Sequence, residues 1–211
     1  MAEADHSLDA QVRAADLDRW LSSRFVTDPA ARADLLALYA FEAELLAIPT
    51  RVTQPLLAEM RYVWWRDQMD GVFSAAARKG HPVLEALTDA VSRRRLERTP
   101  FDALIEAHIG RVHGEPHDLD AFYVGPLQTA VRILAGPGYD EAVIEAGRAW
   151  GLTQTGRAEE ARAARRGARA DVRRLPFAAF PAVAHVVLDR PGEPEAVKSL
   201  RLTWAVARGR I

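Results

Sequence analysis

Proline stands at the head of one helical stripe after another, and this arrangement constrains the fold more than any other feature of the chain. Pro29, Pro55, Pro82 and Pro100 each precede residues whose apolar members recur three and four positions apart. Proline has a fixed φ and no N–H to donate. It is therefore tolerated at the first helical position and excluded from helix interiors and central strands. Asp28, directly before Pro29, is a favourable N-cap. Leu17, Trp20, Leu21 and Phe25 mark a first helix. Leu35, Leu38, Tyr39, Leu45 and Leu46 mark a second, which Pro49 is expected to end. Leu56, Met60, Val63, Trp64 and Phe73 mark a third. Val83, Leu84, Leu87 and Val91 follow the break at Gly80-His81-Pro82, and Phe101, Leu104, Ile105, His108 and Ile109 follow Thr99-Pro100.

The second half continues in the same manner. A helix is expected over 118–134, bent at Gly125-Pro126, and Gly136-Pro137-Gly138 is a turn. Another helix spans 140–156 with a charged continuation. Residues 177–188 are apolar, 191–194 form a turn, and 195–207 read as a short terminal helix. Strand alternation and internal repeats are both lacking. The breaks are short and regular, which suits one compact bundle over 1–211 better than two domains joined by a linker. A chain of 211 residues is long enough to bury a single core. The expected fold class is all-α.

Composition removes several classes of function. A net charge of −1 is unlike the basic surface of a nucleic-acid binder. The absence of cysteine excludes disulfides, thiolate metal sites and cysteine nucleophiles. No apolar run reaches the roughly 20 residues of a membrane span. The N-terminal MAEADHSLDAQ is acidic and polar, unlike a secretory signal. The expectation is a cytoplasmic protein, at most peripheral to an inner membrane. Many arginines beside only two lysines, Lys79 and Lys198, point to a GC-rich bacterial genome.

Four segments are more specific: DRWLSSRFV (18–26), LLALYAFEAELLAI (35–48), EMRYVWWRDQMDGV (59–72) with HPVLEAL (81–87), and RTPFDALIEAHIGRVHGEP (98–116). In order and spacing they resemble the squalene/phytoene synthase superfamily. A weaker match runs through GLTQTGR (151–157), so the resemblance covers most of 16–165. It implies a single helical bundle of the trans-isoprenyl diphosphate synthase type, shortened at the C-terminus, around a central cavity. It also implies head-to-head condensation of prenyl diphosphates, with magnesium held by aspartates on two helices. Magnesium requires hard oxygen ligands. Laid on this chain, the first aspartate cluster falls at about Leu46, Ala47 and Thr50, and the second at about Ala158 and Arg162. None of these supplies a carboxylate to hold magnesium, so no cofactor is expected unless the chain is an enzyme after all.

Other acids do not readily substitute. Glu42 and Glu44, two apart, point about 200° apart on a helix. Asp67 and Asp70 share a face and form the weak alternative metal pair, beside Arg61 and Arg66. His113 and His117 have Gly114 and Pro116 between them and no evident third ligand. Of the adjacent Trp64 and Trp65, one is expected in the core and the other at its boundary. With Tyr39 they are the candidate cavity lining. Between Arg148 and Arg174, eight arginines face three acids, a surplus of five. This stretch reads as a solvated helix, as a surface for an acidic protein or anionic lipid, or as a set of arginine forks for a phosphate-bearing ligand. Arg157, Arg162, Arg165, Arg166 and Arg169 are its candidate contact residues.

The WWRD, HPV and RTPF segments are most similar to an aspartate-poor branch of the superfamily that includes a mitochondrial complex I assembly factor. That similarity implies a non-catalytic assembly factor or chaperone for a respiratory NADH dehydrogenase, with protein partners. The alternative is a prenyl-diphosphate-binding transferase of isoprenoid biosynthesis.

Overall fold

A computed structural model describes residues 7–190 and 192–211. Ten α-helices follow one another: α1 (Leu8–Ala15), α2 (Leu17–Ser23), α3 (Pro29–Arg51), α4 (Pro55–Phe73), α5 (Pro82–Arg94), α6 (Thr99–Val112), α7 (Gly125–Ala135), α8 (Ile144–Gln154), α9 (Ala158–Val172) and α10 (Glu195–Arg208). A π-helical turn, Asp120–Val124, leads into α7. Three 3-10 segments, Asp140–Val143, Phe177–Ala182 and Ala184–Val187, complete the order. There is no strand among the described residues. The prolines expected at helix starts stand there, and the Asp28 side chain accepts from the N–H of Ala30 at 3.0 Å. Of the turn expected at 191–194, Pro191 lies outside the described residues.

The bundle is organised around α3, which packs against α1, α2, α4, α5 and α7. Every residue from Asp34 to Ala43 is buried, so this is a central helix and not an amphipathic one with a single apolar face. Phe41 meets Trp65 of α4 edge to face at 5.5 Å and Phe101 of α6 at 5.6 Å, which joins three helices through aromatic contacts. The central helix also carries two acids inside the protein. Asp34, its side chain 3% exposed, is held by Arg94 at 2.6 Å and by Arg93, both from the end of α5. A carboxylate this deep persists only when paired.

Three expectations need correction. Pro49 does not end the second helix, which runs on to Arg51. Proline at 49 removes the N–H that would bond the carbonyl of Leu45, and the Tyr62 hydroxyl of α4 donates to that carbonyl instead, at 3.2 Å. Leu46, grouped with the apolar face of that helix, is 57% exposed. Helix α1 has no counterpart among the expected elements, because only Val12 of it is buried. Polar contacts dock it: Asp9 accepts from the Trp20 indole at 2.9 Å and pairs with Arg32 at 2.5 Å.

Two glycines let α8 approach the π-helical turn closely. A Cβ on Gly147 of α8 would lie 2.9 Å from the Cα of Val124 and 3.1 Å from the carbonyl oxygen of Tyr123. Gly151, one turn later, faces the Tyr123 ring. We predict that Gly147→Ala lowers stability by about 1–3 kcal/mol, because backbone must move to admit one methyl group. Asp34→Ala should cost about 2–3 kcal/mol, below the usual figure for breaking a buried pair, since the two partly exposed arginines can rehydrate. Urea unfolding curves measure both.

Candidate functional site

A cavity of about 240 Å³ opens between α2, α3, α6, the π-helical turn, α7, α8 and the 3-10 segment at 184–187. Helix α3 presents Tyr39, Glu42 and Leu46 to it, at the three- and four-residue spacing of a single helical stripe. Asp16 and Arg19 come from the start of α2, His108 from α6, Trp150 and Gln154 from α8, and His185 from the 3-10 segment. Phe122 and Tyr123 come from the π-helical turn. That turn exists because Pro126 has no N–H and Gly125 reaches back five residues to the carbonyl of Asp120.

One guanidinium organises the polar end of the cavity. Arg19 donates from Nε to Asp16 at 2.6 Å and from Nη1 to Glu42 at 2.7 Å, and its guanidinium carbon lies 4.6 Å from the centre of the Tyr39 ring. Its side chain is 12% exposed. Asp16 doubles as the N-cap of α2, accepting from the Arg19 N–H at 2.9 Å. Burial pushes Asp16 upward, but Arg19 outweighs it and holds the carboxyl below its usual range. For Glu42 burial prevails over Arg19, and its pKa rises. The Tyr39 hydroxyl is driven up by burial. His185 is pushed down to about 3 by burial and then by Arg19, and His108 to about 4 by burial and then by His117. Both imidazoles are thus neutral at ordinary pH. His108 stacks on Tyr62 at 5.0 Å, and His185 meets Trp150 edge-on at 4.8 Å.

The superfamily's magnesium does not fit these residues. Both carboxylates at the cavity wall share the single charge of Arg19. Leu46 is on the cavity-facing stripe where an aspartate would be required, and the Thr50 hydroxyl donates to its own helix at Ala47, 2.8 Å away. Ala158 and Arg162 line a separate hollow of about 410 Å³ behind Gln154, and Arg162 pairs with Glu159 at 2.5 Å. Among the described residues, no three His, Cys, Asp or Glu side chains are grouped to hold a metal ion.

A family model for squalene/phytoene synthase matches residues 12–123, more than half of the chain. The chain belongs to the squalene/phytoene synthase family. No curated protein matches significantly. The matched region carries Arg19, Tyr39, Glu42, Leu46 and His108 of the cavity, and it stops before α8 and α9. The squalene/phytoene synthase resemblance at GLTQTGR, with the second aspartate cluster projected at Ala158 and Arg162, lies beyond it. No described helix is long and apolar enough to cross a membrane.

The candidate residues are distributed unevenly over this family fold. Tyr39 lines the cavity. Trp64 and Trp65 do not: they wall a different hollow of about 530 Å³ with Ile48, Leu57 and His81, because α4 turns them away from the stripe of α3. Trp65 is buried and Trp64 is partly exposed, their rings edge to face at 5.2 Å. Asp67 and Asp70 are both exposed, and Asp70 pairs with Arg98 at 2.6 Å. Glu42 and Glu44 diverge, Glu44 accepting from Gln11 at 2.7 Å.

The arginine stretch is largely neutralised by its neighbours. Arg148 holds Asp120 and Glu145, and Arg157 holds Glu160 at 2.5 Å. Arg165 reaches the partly buried Asp189 at 2.8 Å, and Arg169 donates to the carbonyl of Ile211 at 3.1 Å. Arg165 and Arg169 therefore tie α9 to Asp189 and Ile211, Arg165 partly buried and Arg169 exposed, while Arg157, Arg162 and Arg166 are exposed without such ties. Arg19, Asp16 and His185 escaped the sequence reading. The one available signal was a charged residue, Arg19, inside the apolar stripe of Leu17, Trp20 and Leu21.

The buried imidazoles make stability depend on pH. Unfolded, His108 and His185 take up protons near pH 6.5; folded, they resist until about pH 4 and 3. The unfolded state therefore gains from each step below 6.5, and stability falls as pH falls. Two such groups should cost about 2–3 kcal/mol per pH unit between pH 6 and 5. The melting temperature should drop over that interval, and His185→Phe should flatten the slope.

Proposed function

We propose that this squalene/phytoene synthase-like protein performs no prenyl transfer and acts by binding, as an assembly factor or chaperone for a respiratory NADH dehydrogenase. The observation that carries the first part is the Arg19–Asp16–Glu42 cluster. Among the described residues, the only carboxylates on the cavity wall are Asp16 and Glu42, both held by Arg19, so none remains to hold metal against a departing diphosphate. Without such charge compensation, loss of diphosphate from an allylic carbon has no stabilised path. The assembly role is supported by the WWRD, HPV and RTPF segments, whose similarity is to the aspartate-poor branch. The exposed Arg157, at the N-cap of α9, and Arg162 and Arg166 on that helix are the contact surface for an acidic partner subunit or an anionic membrane beside it.

Farnesyl or geranylgeranyl diphosphate incubated with the protein and magnesium should release no pyrophosphate above background. Release would establish the rival reading, a prenyl-diphosphate-binding transferase. Affinity capture from membranes, read by mass spectrometry, should recover NADH dehydrogenase subunits. Their recovery should fall when Arg157, Arg162 and Arg166 are replaced by glutamate, substitutions that spare the ion pairs of Arg165 and the contact of Arg169.

A further inference from the structure

We propose that the cavity takes an elongated apolar molecule ending in a hydroxyl group and discriminates against one ending in phosphate. The inference rests on the non-catalytic reading of the same site and adds the chemistry of its ligand. Tyr39 Oη, Glu42 Oε1 and His185 Nδ1 have no hydrogen-bond partner among the described residues, though their residues are 2%, 4% and 1% exposed. Nε2 of the partly exposed His117, on the same cavity wall, is unpaired as well. Buried polar atoms are ordinarily paired, so four orphans around one cavity point to a partner from outside the chain. Tyr39 and Glu42 are one helical turn apart on the same stripe. A single hydroxyl can accept from the phenol and donate to the carboxylate at once, and the imidazole nitrogen can take either role.

The charge excludes the alternative head group. Recognition of phosphate calls for arginine forks or lysine. Among the described residues Arg19 is the only arginine or lysine lining the cavity, and Asp16 and Glu42 already share it. The pKa values of His108, His117 and His185 are all lowered, first by burial, which leaves the wall with no net positive charge. An anion entering it would lose its hydration and find no compensating cation.

The shape suits a tail. Leu104, Leu127, Ala130 and Trp150 form the apolar wall. Leu46, His108, His117 and Phe122 also border an adjoining hollow of about 500 Å³ that extends past Pro55, Ala58 and Val112. A chain longer than the cavity can continue into that hollow across the exposed Leu46. An aspartate at this position would place a charge in its path.

The test uses the full chain and displacement of N-phenyl-1-naphthylamine, an uncharged fluorescent probe, by decan-1-ol, decane and decyl phosphate. Decan-1-ol should displace the probe at a concentration at least tenfold lower than decyl phosphate. Tyr39→Phe should weaken decan-1-ol about three- to tenfold, the worth of one hydrogen bond, and leave decane unchanged. Its melting temperature should not fall, because the hydroxyl has no protein partner to lose. Glu42→Gln serves as a second variant and should weaken decan-1-ol in the same direction. Equal or tighter binding of decyl phosphate, an unchanged response to decan-1-ol in both variants, or no displaceable binding at all would overturn the inference. Tight phosphate binding without pyrophosphate release would overturn this inference alone. Magnesium-dependent release would overturn the non-catalytic reading whatever the alcohol does.

Discussion

A helix buried on every side cannot carry a carboxylate unless another element supplies a cation, and α3 carries two. Asp34 and Glu42 lie inside the protein, where an unpaired charge would be prohibitively costly. Their partners come from opposite directions: Arg93 and Arg94 from the end of α5, and Arg19 from α2. Each pair is short and directional, so it sets the register at which a neighbouring helix meets α3. Hydrophobic burial supplies most of the driving force for such a bundle. It is indifferent to a slide of one turn along an apolar helix, whereas the ion pairs are not.

The same requirement shapes the cavity. Glu42 faces it because Tyr39 and Leu46 share its stripe, and Arg19 must then reach in from α2. Asp16 completes the arrangement from the N-cap position, so the residue that starts α2 also fixes the guanidinium. With its acids occupied in this way, the polar wall is held in one arrangement by a single guanidinium. Tyr39 is left with a cation against its ring and no partner for its hydroxyl among the described residues, which makes the polar end of the cavity unsatisfied and without net positive charge.

Opposite this wall the backbone does the shaping. Gly125-Pro126 cannot continue a regular α-helix through the bend, and the extra residue of the π-helical turn swings Phe122 and Tyr123 to the cavity. Gly147 and Gly151 let α8 lie directly against that turn. His117 stacks on Phe122 at 4.3 Å, so the aromatic side of the cavity is built from a loop, a turn and a helix that are adjacent in sequence. The ionic side is assembled from elements far apart.

The helices, most of their starts and the family are legible in the residues alone. Those features depend on local chemistry: proline at first positions, Asp28 as a cap, apolar residues three and four apart, and the ordered segments from DRWL to RTPF. The sequence also shows that Leu46, Ala47 and Thr50 carry no carboxylate, since residue type alone decides that. Helix α1 escaped because its anchors are Asp9, Gln11 and Arg13, which look like surface residues until their partners are placed. Pro49 misled because its effect depends on Tyr62, which comes from the next helix. Packing places Trp64 and Trp65 against a different hollow from Tyr39, and it joins Arg165 to Asp189 and Arg169 to Ile211. It alone brought Arg19, Glu42 and His185 together. Charge in a sequence has no address: a count of arginines does not say which acids they meet. Pairing across 23 residues, as between Arg19 and Glu42, is fixed only once helices pack and water is excluded.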